Sequence, residues 1–130
     1  MKAVYAAGTD YADPLSKLRV GELEEPQDKP FWSNIRVASA SVNHHDIWSL
    51  QGVGLSADQT PMILGTDAAG VLEEDIPVRK GLKAGSEVVL YTFVGTDGAG
   101  VMPGERRTIL SEKYAGTMAE ITQVPSANVF

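Results

Sequence analysis

Two adjacent histidines and an aspartate follow an asparagine in the run NHHD at residues 43–46, and His44 and His45 are the chain's only histidines. Imidazole exchanges a proton near neutral pH, so either ring could act as an acid or a base toward a substrate or cofactor. Histidine also binds metals, but neighbouring side chains diverge on a strand and on a helix and rarely bind one ion. In a third interpretation, one histidine packs at the end of a strand and Asp46 caps a helix.

A second carboxylate, Asp67, lies in the run LGTDAAG between Gly65 and Gly70. Glycine permits tight turns and close approach of the backbone to another group. Asp67 therefore either faces a ligand or accepts hydrogen bonds from its own loop. The chain has no cysteine, which excludes disulfides, thiolate zinc sites and a cysteine nucleophile.

Short apolar runs separated by glycine and proline predict a small, mostly antiparallel barrel that positions these side chains. The run at 45–52 predicts a short helix that Asp46 caps at its start and Gly52 ends in the left-handed conformation. No strand–helix–strand crossover is visible, which disfavours a parallel nucleotide-binding sheet. Strands are predicted at 2–7, 15–26 and 34–42, from Gly70 to residue 74, and within 80–93 and 116–125, with a loop at 95–107.

Alternating apolar residues predict which side chains face the core of this barrel. The predicted core residues include Leu18, Val20, Met118, Ile121 and Val124. Trp48, on the predicted helix, is also expected in the core.

Length and charge limit the classes of partner. The 130 residues suit one domain, and a net charge of −6 argues against nucleic acid and anionic membranes, which both need clustered Lys and Arg. The N-terminal residues do not resemble a signal peptide, and no stretch has the ~20 apolar residues of a membrane span. We therefore expect a cytoplasmic protein with no nucleic-acid or membrane partner.

Five runs occur in the order typical of one family. They resemble the N-terminal catalytic domain of medium-chain dehydrogenases/reductases, which include zinc-type alcohol dehydrogenases and quinone oxidoreductases. The resemblance covers nearly the whole chain and implies a GroES-like, partly open β-barrel with one or two short helices. The runs are MKAVYAAG, VASASVNHHDIWSLQG, PMILGTDAAGV, GSEVVLYT and GTMAEITQVPSANVF.

The resemblance also assigns positions to the chemistry-bearing residues. Asn43 stands where zinc-dependent members have a cysteine ligand, and Thr66 and Asp67 stand for the histidine and glutamate of a Gly-His-Glu motif. Zinc is therefore not expected, and no metal ligand is predicted. By the same resemblance, Asn43, His45 and Asp67 are the predicted catalytic residues, with His45 in place of a proton-relaying hydroxyl residue. Asn43 and His44 are the predicted cofactor contacts.

The zinc-free branch of the family passes hydride from NADPH to quinones, enones and similar acceptors. Its cofactor is held by a doubly wound domain that this chain lacks, so NADPH or NADH is expected only with that second domain, and residues 1–130 alone are expected to be inactive. The expected substrates are small carbonyl, quinone or alcohol molecules, and a homodimer stays open.

Two alternatives to this function also stay open. One is a stand-alone binding module built on the same barrel. The other is a zinc-type domain with atypical ligands, formed by His44 or His45 together with Asp67.

Overall fold

The computed structural model describes residues 1–77, 79, 81–95 and 107–130. These residues are mainly β-structure with a single α-helix, which confirms the predicted fold class. The predicted loop at 95–107 falls mostly on residues 96–106, which lie outside the described residues. The described strands are Lys2–Ala6 (β1), Leu18–Glu22 (β2), Trp32–Ala40 (β3), Met62–Ile63 (β4), Ala68–Leu72 (β5), Glu87–Val89 (β6), Phe93–Val94 (β7), Thr108–Ile109 (β8) and Ile121–Pro125 (β9). The helices are His44–Gln51 (α1) and the short 3-10 helices Pro14–Lys17, Ala57–Gln59 and Ser126–Asn128.

The strands form three antiparallel sheets. Their orders are β2-β1-β4, β6-β5-β3-β9 and the pair β7-β8. An isolated bridge between Ala3 and Ala119 joins the first sheet to the segment that leads into β9. The described strands do not close into a continuous ring of hydrogen bonds, so the barrel is partly open, as predicted.

Two clusters of buried side chains form the described core. The larger one packs Ile35 of β3 and Leu72 of β5 against Val124 of β9, together with residues from β6, β7 and the segment after β8. The smaller one contains Leu50 of α1. Burying this side chain removes apolar surface from water and so holds α1 against β1 and β4. The other buried members of the smaller cluster are Ala6, Leu55, Met62 and Leu64.

Two residues expected in the core are exposed instead. Val20 is 76% exposed because β2 pairs only with β1 and forms the edge of its sheet. Trp48 is 46% exposed, since Ser49 and Leu50 occupy the buried side of α1. Both residues carry apolar side chains in an apolar pattern, but a local pattern does not distinguish an edge or an outer face from a buried one.

Helix α1 is short and ends as predicted. It spans eight residues, and Gly52 ends it in the left-handed conformation with φ 86°. Of the helices in the described residues, none combines the length and the apolar character that crossing a membrane requires.

Candidate functional site

The pairing of β3 with β5 brings the two chemistry-bearing runs together. Ala40 at the end of β3 pairs with Ala68 at the start of β5, because the two strands are antiparallel. The chain that leaves β3 toward α1 therefore lies beside the chain that enters β5. We call the side chains of Ser41, Asn43, Thr66 and Asp67 at this junction the polar corner.

Asn43 is the centre of the polar corner. Its side-chain nitrogen Nδ2 lies 3.1 Å from Asp67 Oδ2, 3.2 Å from Thr66 Oγ1 and 3.2 Å from Ser41 Oγ. The amide nitrogen must face the carboxylate, because an amide oxygen placed there would meet another acceptor. Two predicted catalytic residues, Asn43 and Asp67, are thus hydrogen-bonded to each other.

Asp67 is held as a carboxylate by three donor groups. Its Oδ1 accepts hydrogen bonds from the Ser41 hydroxyl at 2.7 Å and the Ser41 backbone N–H at 3.1 Å. Partial burial raises the pKa of Asp67, but the hydrogen bonds from Ser41 and Asn43 outweigh it and hold the pKa below the ordinary value of 3.8. Asp67 therefore accepts its hydrogen bonds from the segment between β3 and α1, whereas one of the two interpretations from the sequence expected donors in its own loop.

This lowered pKa predicts an acid-sensitive contribution of Asp67 to stability. A carboxylate whose pKa is lower in the folded chain stabilises the fold above its unfolded pKa, here near 3.8, and loses that contribution as the pH falls through the folded value. We expect the free energy of unfolding of Asp67→Asn to change less than that of the wild type as the pH falls below 3.8. Urea denaturation at a series of pH values measures this, with the exposed Asp58→Asn as control. Equal pH dependence in Asp67→Asn and the wild type would contradict the prediction.

Asp46 connects the start of α1 to the loop before β5. Asn43 is the N-cap and Asp46 is the third residue of α1, and the two form a capping box. Asp46 therefore caps the start of the helix as predicted, although from inside the first turn. Its Oδ2 accepts the backbone N–H of Asn43 at 2.8 Å, and its Oδ1 accepts the backbone N–H of Gly65 at 2.9 Å. The helix starts one residue earlier than predicted because this reach-back bond fixes Asn43 as the cap.

The two histidines make their contacts outside the polar corner. His45 Nε2 lies 3.2 Å from Glu112 Oε1, and Ser49 Oγ lies 3.5 Å from His45 Nδ1. His44 is exposed and packs edge-on against Trp48, with ring centroids 4.8 Å apart. The structure therefore brings Asn43 and Asp67 together but directs His45 toward Glu112.

Glu112 was not found by the sequence reasoning. Besides His45, its side chain contacts Thr108 Oγ1 at 3.3 Å, and its backbone oxygen accepts a bond from Gln59 at 3.1 Å. Glu112 and His45 are 67 residues apart, and no local pattern near Glu112 signals the contact. No role was assigned to Ser41 from the sequence either. Its position near the end of a predicted strand, two residues before Asn43, could have indicated that it lies near the site.

The donor atoms of the polar corner do not fit a zinc ion. Zinc sites in proteins use thiolate, imidazole and carboxylate ligands. At the corner, Asn43 presents an amide N–H and Thr66 a neutral hydroxyl, which leaves Asp67 as the one anionic donor. Within the described part of the chain, no group of three or more His, Cys, Asp or Glu side chains is placed to hold a metal ion.

The family model for the alcohol dehydrogenase GroES-like domain matches residues 29–130. An NAD-dependent alcohol dehydrogenase of known structure matches with 31% identity and a TM-score of 0.80, over 100% of this chain and 39% of its own. The cobalt- and zinc-bound thermostable alcohol dehydrogenase from Pyrobaculum aerophilum matches with 28% identity and a TM-score of 0.81, over 99% of this chain and 40% of its own.

The alcohol dehydrogenase from the hyperthermophilic archaeon Aeropyrum pernix matches with 25% identity and a TM-score of 0.76, over 100% of this chain and 39% of its own. No curated protein sequence matches the chain. The chain spans about two fifths of the length of these solved dehydrogenases. It belongs to the alcohol dehydrogenase GroES-like domain family, and its fold is that of the N-terminal catalytic domain of medium-chain dehydrogenases/reductases.

Proposed function

We propose that this chain is the substrate-side domain of an NAD(P)H-dependent oxidoreductase that acts on small carbonyl, quinone or alcohol molecules without zinc. Family membership supports the oxidoreductase class, and the matched structures include an NAD-dependent alcohol dehydrogenase. The observation that carries the zinc-free part is the hydrogen-bonded set of Asn43, Thr66 and Asp67. Asn43 and Thr66, which stand at positions of the family's metal ligands, are hydrogen-bonded to each other, and Asn43 also donates to Asp67.

The nicotinamide cofactor would supply the hydride, and a second domain would hold it. The described residues contain no strand–helix–strand unit of the kind that binds a dinucleotide. In this proposal, the chain contributes Asn43 at the cofactor and substrate side of the cleft. His44 is exposed and so is available to contact the cofactor.

Without a metal ion, side chains must orient the carbonyl oxygen and move the proton. Asn43 and Asp67 act together in this proposal, since the carboxylate fixes the direction of the amide. His45 is the proposed proton donor, because it is the partly buried imidazole of α1. The carboxylate of Glu112, 3.2 Å away, orients its ring.

Metal binding tests the zinc-free part of the proposal. We expect the purified chain to hold much less than one zinc per molecule after dialysis, and to show no cobalt absorption bands. The double substitution Asn43→Cys with Thr66→His supplies a thiolate and an imidazole beside Asp67, so it should gain cobalt binding with a thiolate absorption band. Stoichiometric, dialysis-resistant zinc on the wild-type chain would refute zinc independence.

Hydride transfer tests the oxidoreductase part. The chain can be joined after Phe130 to the nucleotide-binding domain of the NAD-dependent alcohol dehydrogenase that it matches. We expect this fusion to oxidise NADH or NADPH with benzoquinone or cyclohexanone as acceptor, and to keep its rate in the presence of a chelator. Loss of the rate with chelator would point to a metal enzyme, and its absence with every acceptor would argue against the oxidoreductase assignment.

A further inference from the structure

The hydrogen-bond inventory of the polar corner leaves one donor without an acceptor. The NH₂ group of Asn43 has two hydrogens and no lone pair, so at most two of the three oxygens around it accept at one time, and Thr66 Oγ1 can only be an acceptor in its contact with Asn43. The Ser41 hydroxyl donates its own proton to Asp67. The proton of the Thr66 hydroxyl has no acceptor among the described residues, although the side chain is 6% exposed.

We propose that the Thr66 hydroxyl is the hydrogen-bond donor that the polar corner offers to the oxygen of a neutral carbonyl substrate. This inference rests on the proposed function, which places the substrate at the corner. A buried polar hydrogen without a partner costs free energy, so a ligand oxygen that accepts it gains affinity. Thr66 is then a substrate contact that acts where the family's metal ligand would stand.

The backbone around Thr66 holds this donor in one place. Gly65 N–H is bonded to Asp46, and the carbonyl oxygen of Gly65 accepts the backbone N–H of Thr117 at 3.2 Å. On the other side, the Thr117 hydroxyl donates to the backbone oxygen of Asp67 at 2.8 Å. A donor fixed on both sides loses little conformational freedom when a ligand binds.

Asp67 limits the charge of the ligand. Its carboxylate lies in the same corner, with Asn43 Nδ2 bridging it to Thr66 at 3.1 and 3.2 Å. An anionic ligand at Thr66 would face a like charge at short range, which disfavours binding. The substrate class that fits is therefore a neutral ketone, aldehyde or quinone rather than an oxo acid.

An amide NMR titration of the 130-residue chain tests the inference, with cyclohexanone as the neutral probe and cyclohexanecarboxylate as the anionic one. We expect cyclohexanone to shift the amides of Asn43, Thr66 and Asp67. The dissociation constant should rise about threefold to tenfold in Thr66→Val, which removes one hydrogen bond of ordinary strength. Thr66→Ser keeps the hydroxyl and should bind like the wild type, and so should Thr9→Val, which lies outside the corner.

The possible outcomes separate the inference from the proposed function. Equal cyclohexanone affinity of Thr66→Val and the wild type, with the same amides shifted, would overturn the role of Thr66 and leave the substrate corner standing. No shift at the corner in the wild type would overturn both. Tighter binding of the carboxylate than of the ketone would overturn the substrate class. Melting curves check that Thr66→Val is folded, and if it is not, Thr66→Ala compared with Thr66→Ser carries the same test.

Discussion

Replacing Gly116 by alanine is expected to lower the free energy of unfolding by about 3 kcal/mol, because the added methyl group has no space. A Cβ atom at Gly116 would lie 2.5 Å from the backbone oxygens of Ile63 and Gly65, and closer still to that of Leu64. Backbone atoms cannot rotate away as the end of a flexible side chain can. The chain must therefore separate along this whole contact to admit the methyl group.

The same contact supports the polar corner. Gly116 N–H donates to Ile63 at 2.9 Å, and the N–H of Met118 donates to Leu64 at 2.8 Å. These bonds hold the backbone that leads directly into Thr66, so Gly116→Ala should also shift the amide resonance of Thr66. The expected loss of stability is thus coupled to a displacement at the candidate site.

Equilibrium urea denaturation measures the effect of Gly116→Ala, and Gly8→Ala is the matched control. A Cβ at Gly8 would meet only the flexible Lys17 side chain at 3.6 Å, an ordinary contact. We expect Gly8→Ala to stay within about 0.5 kcal/mol of the wild type. If Gly116→Ala is as stable as Gly8→Ala, the backbone at Gly116 does not lie as close to residues 63–65 as the structure shows.

The sequence around Gly116 does not predict its close contact with residues 63–65, because that contact depends on a distant segment of the chain. The same reason explains the failed predictions at other positions. Some predictions that depend on local patterns were confirmed: the short helix that ends at Gly52, and the alternation that buries Ile121 and Val124. The predictions that failed depend on what lies across space. Val20 is exposed because β2 is an edge strand, and the pairing of strands decides which strand is an edge.

The candidate site divides in the same way. The resemblance aligned Asn43 and Thr66 with metal-ligand positions and Asp67 with the glutamate of the same motif. The pairing of β3 with β5 places these side chains within hydrogen-bond distance. The resemblance did not predict a partner for His45, because Glu112 comes from a different segment and lies outside the quoted motifs. The family motifs therefore identified the residues of the polar corner, but they did not predict which side chain each chemistry-bearing residue contacts.

Asp46→Ala is expected to be as damaging as Gly116→Ala, by the loss of hydrogen bonds rather than by crowding. Asp46 is 4% exposed and accepts two backbone N–H groups, from Asn43 and from Gly65. Without the carboxylate, the buried N–H of Gly65 has no acceptor and α1 loses half of its capping box. An unsatisfied buried donor costs about 1–3 kcal/mol and a lost cap about 1 kcal/mol, so we expect a loss of about 3 kcal/mol.

Comparing Asp46→Ala with Asp46→Asn shows whether one acceptor oxygen is enough or both carboxylate oxygens are needed. Asparagine keeps one acceptor oxygen, but its NH₂ group then faces a backbone N–H, so its stability should lie between those of Asp46→Ala and the wild type. Asp58→Ala removes an exposed aspartate and should change the melting temperature little. Because Asp46 joins Asn43 to the residue before Thr66, Asp46→Ala should also shift the amides of Asn43 and Thr66. If Asp46→Ala is as stable as Asp58→Ala and the amides of Asn43 and Thr66 do not shift, packing alone holds α1 to the loop before β5. The hydrogen bonds of Asp46 would then not explain the geometry of the polar corner.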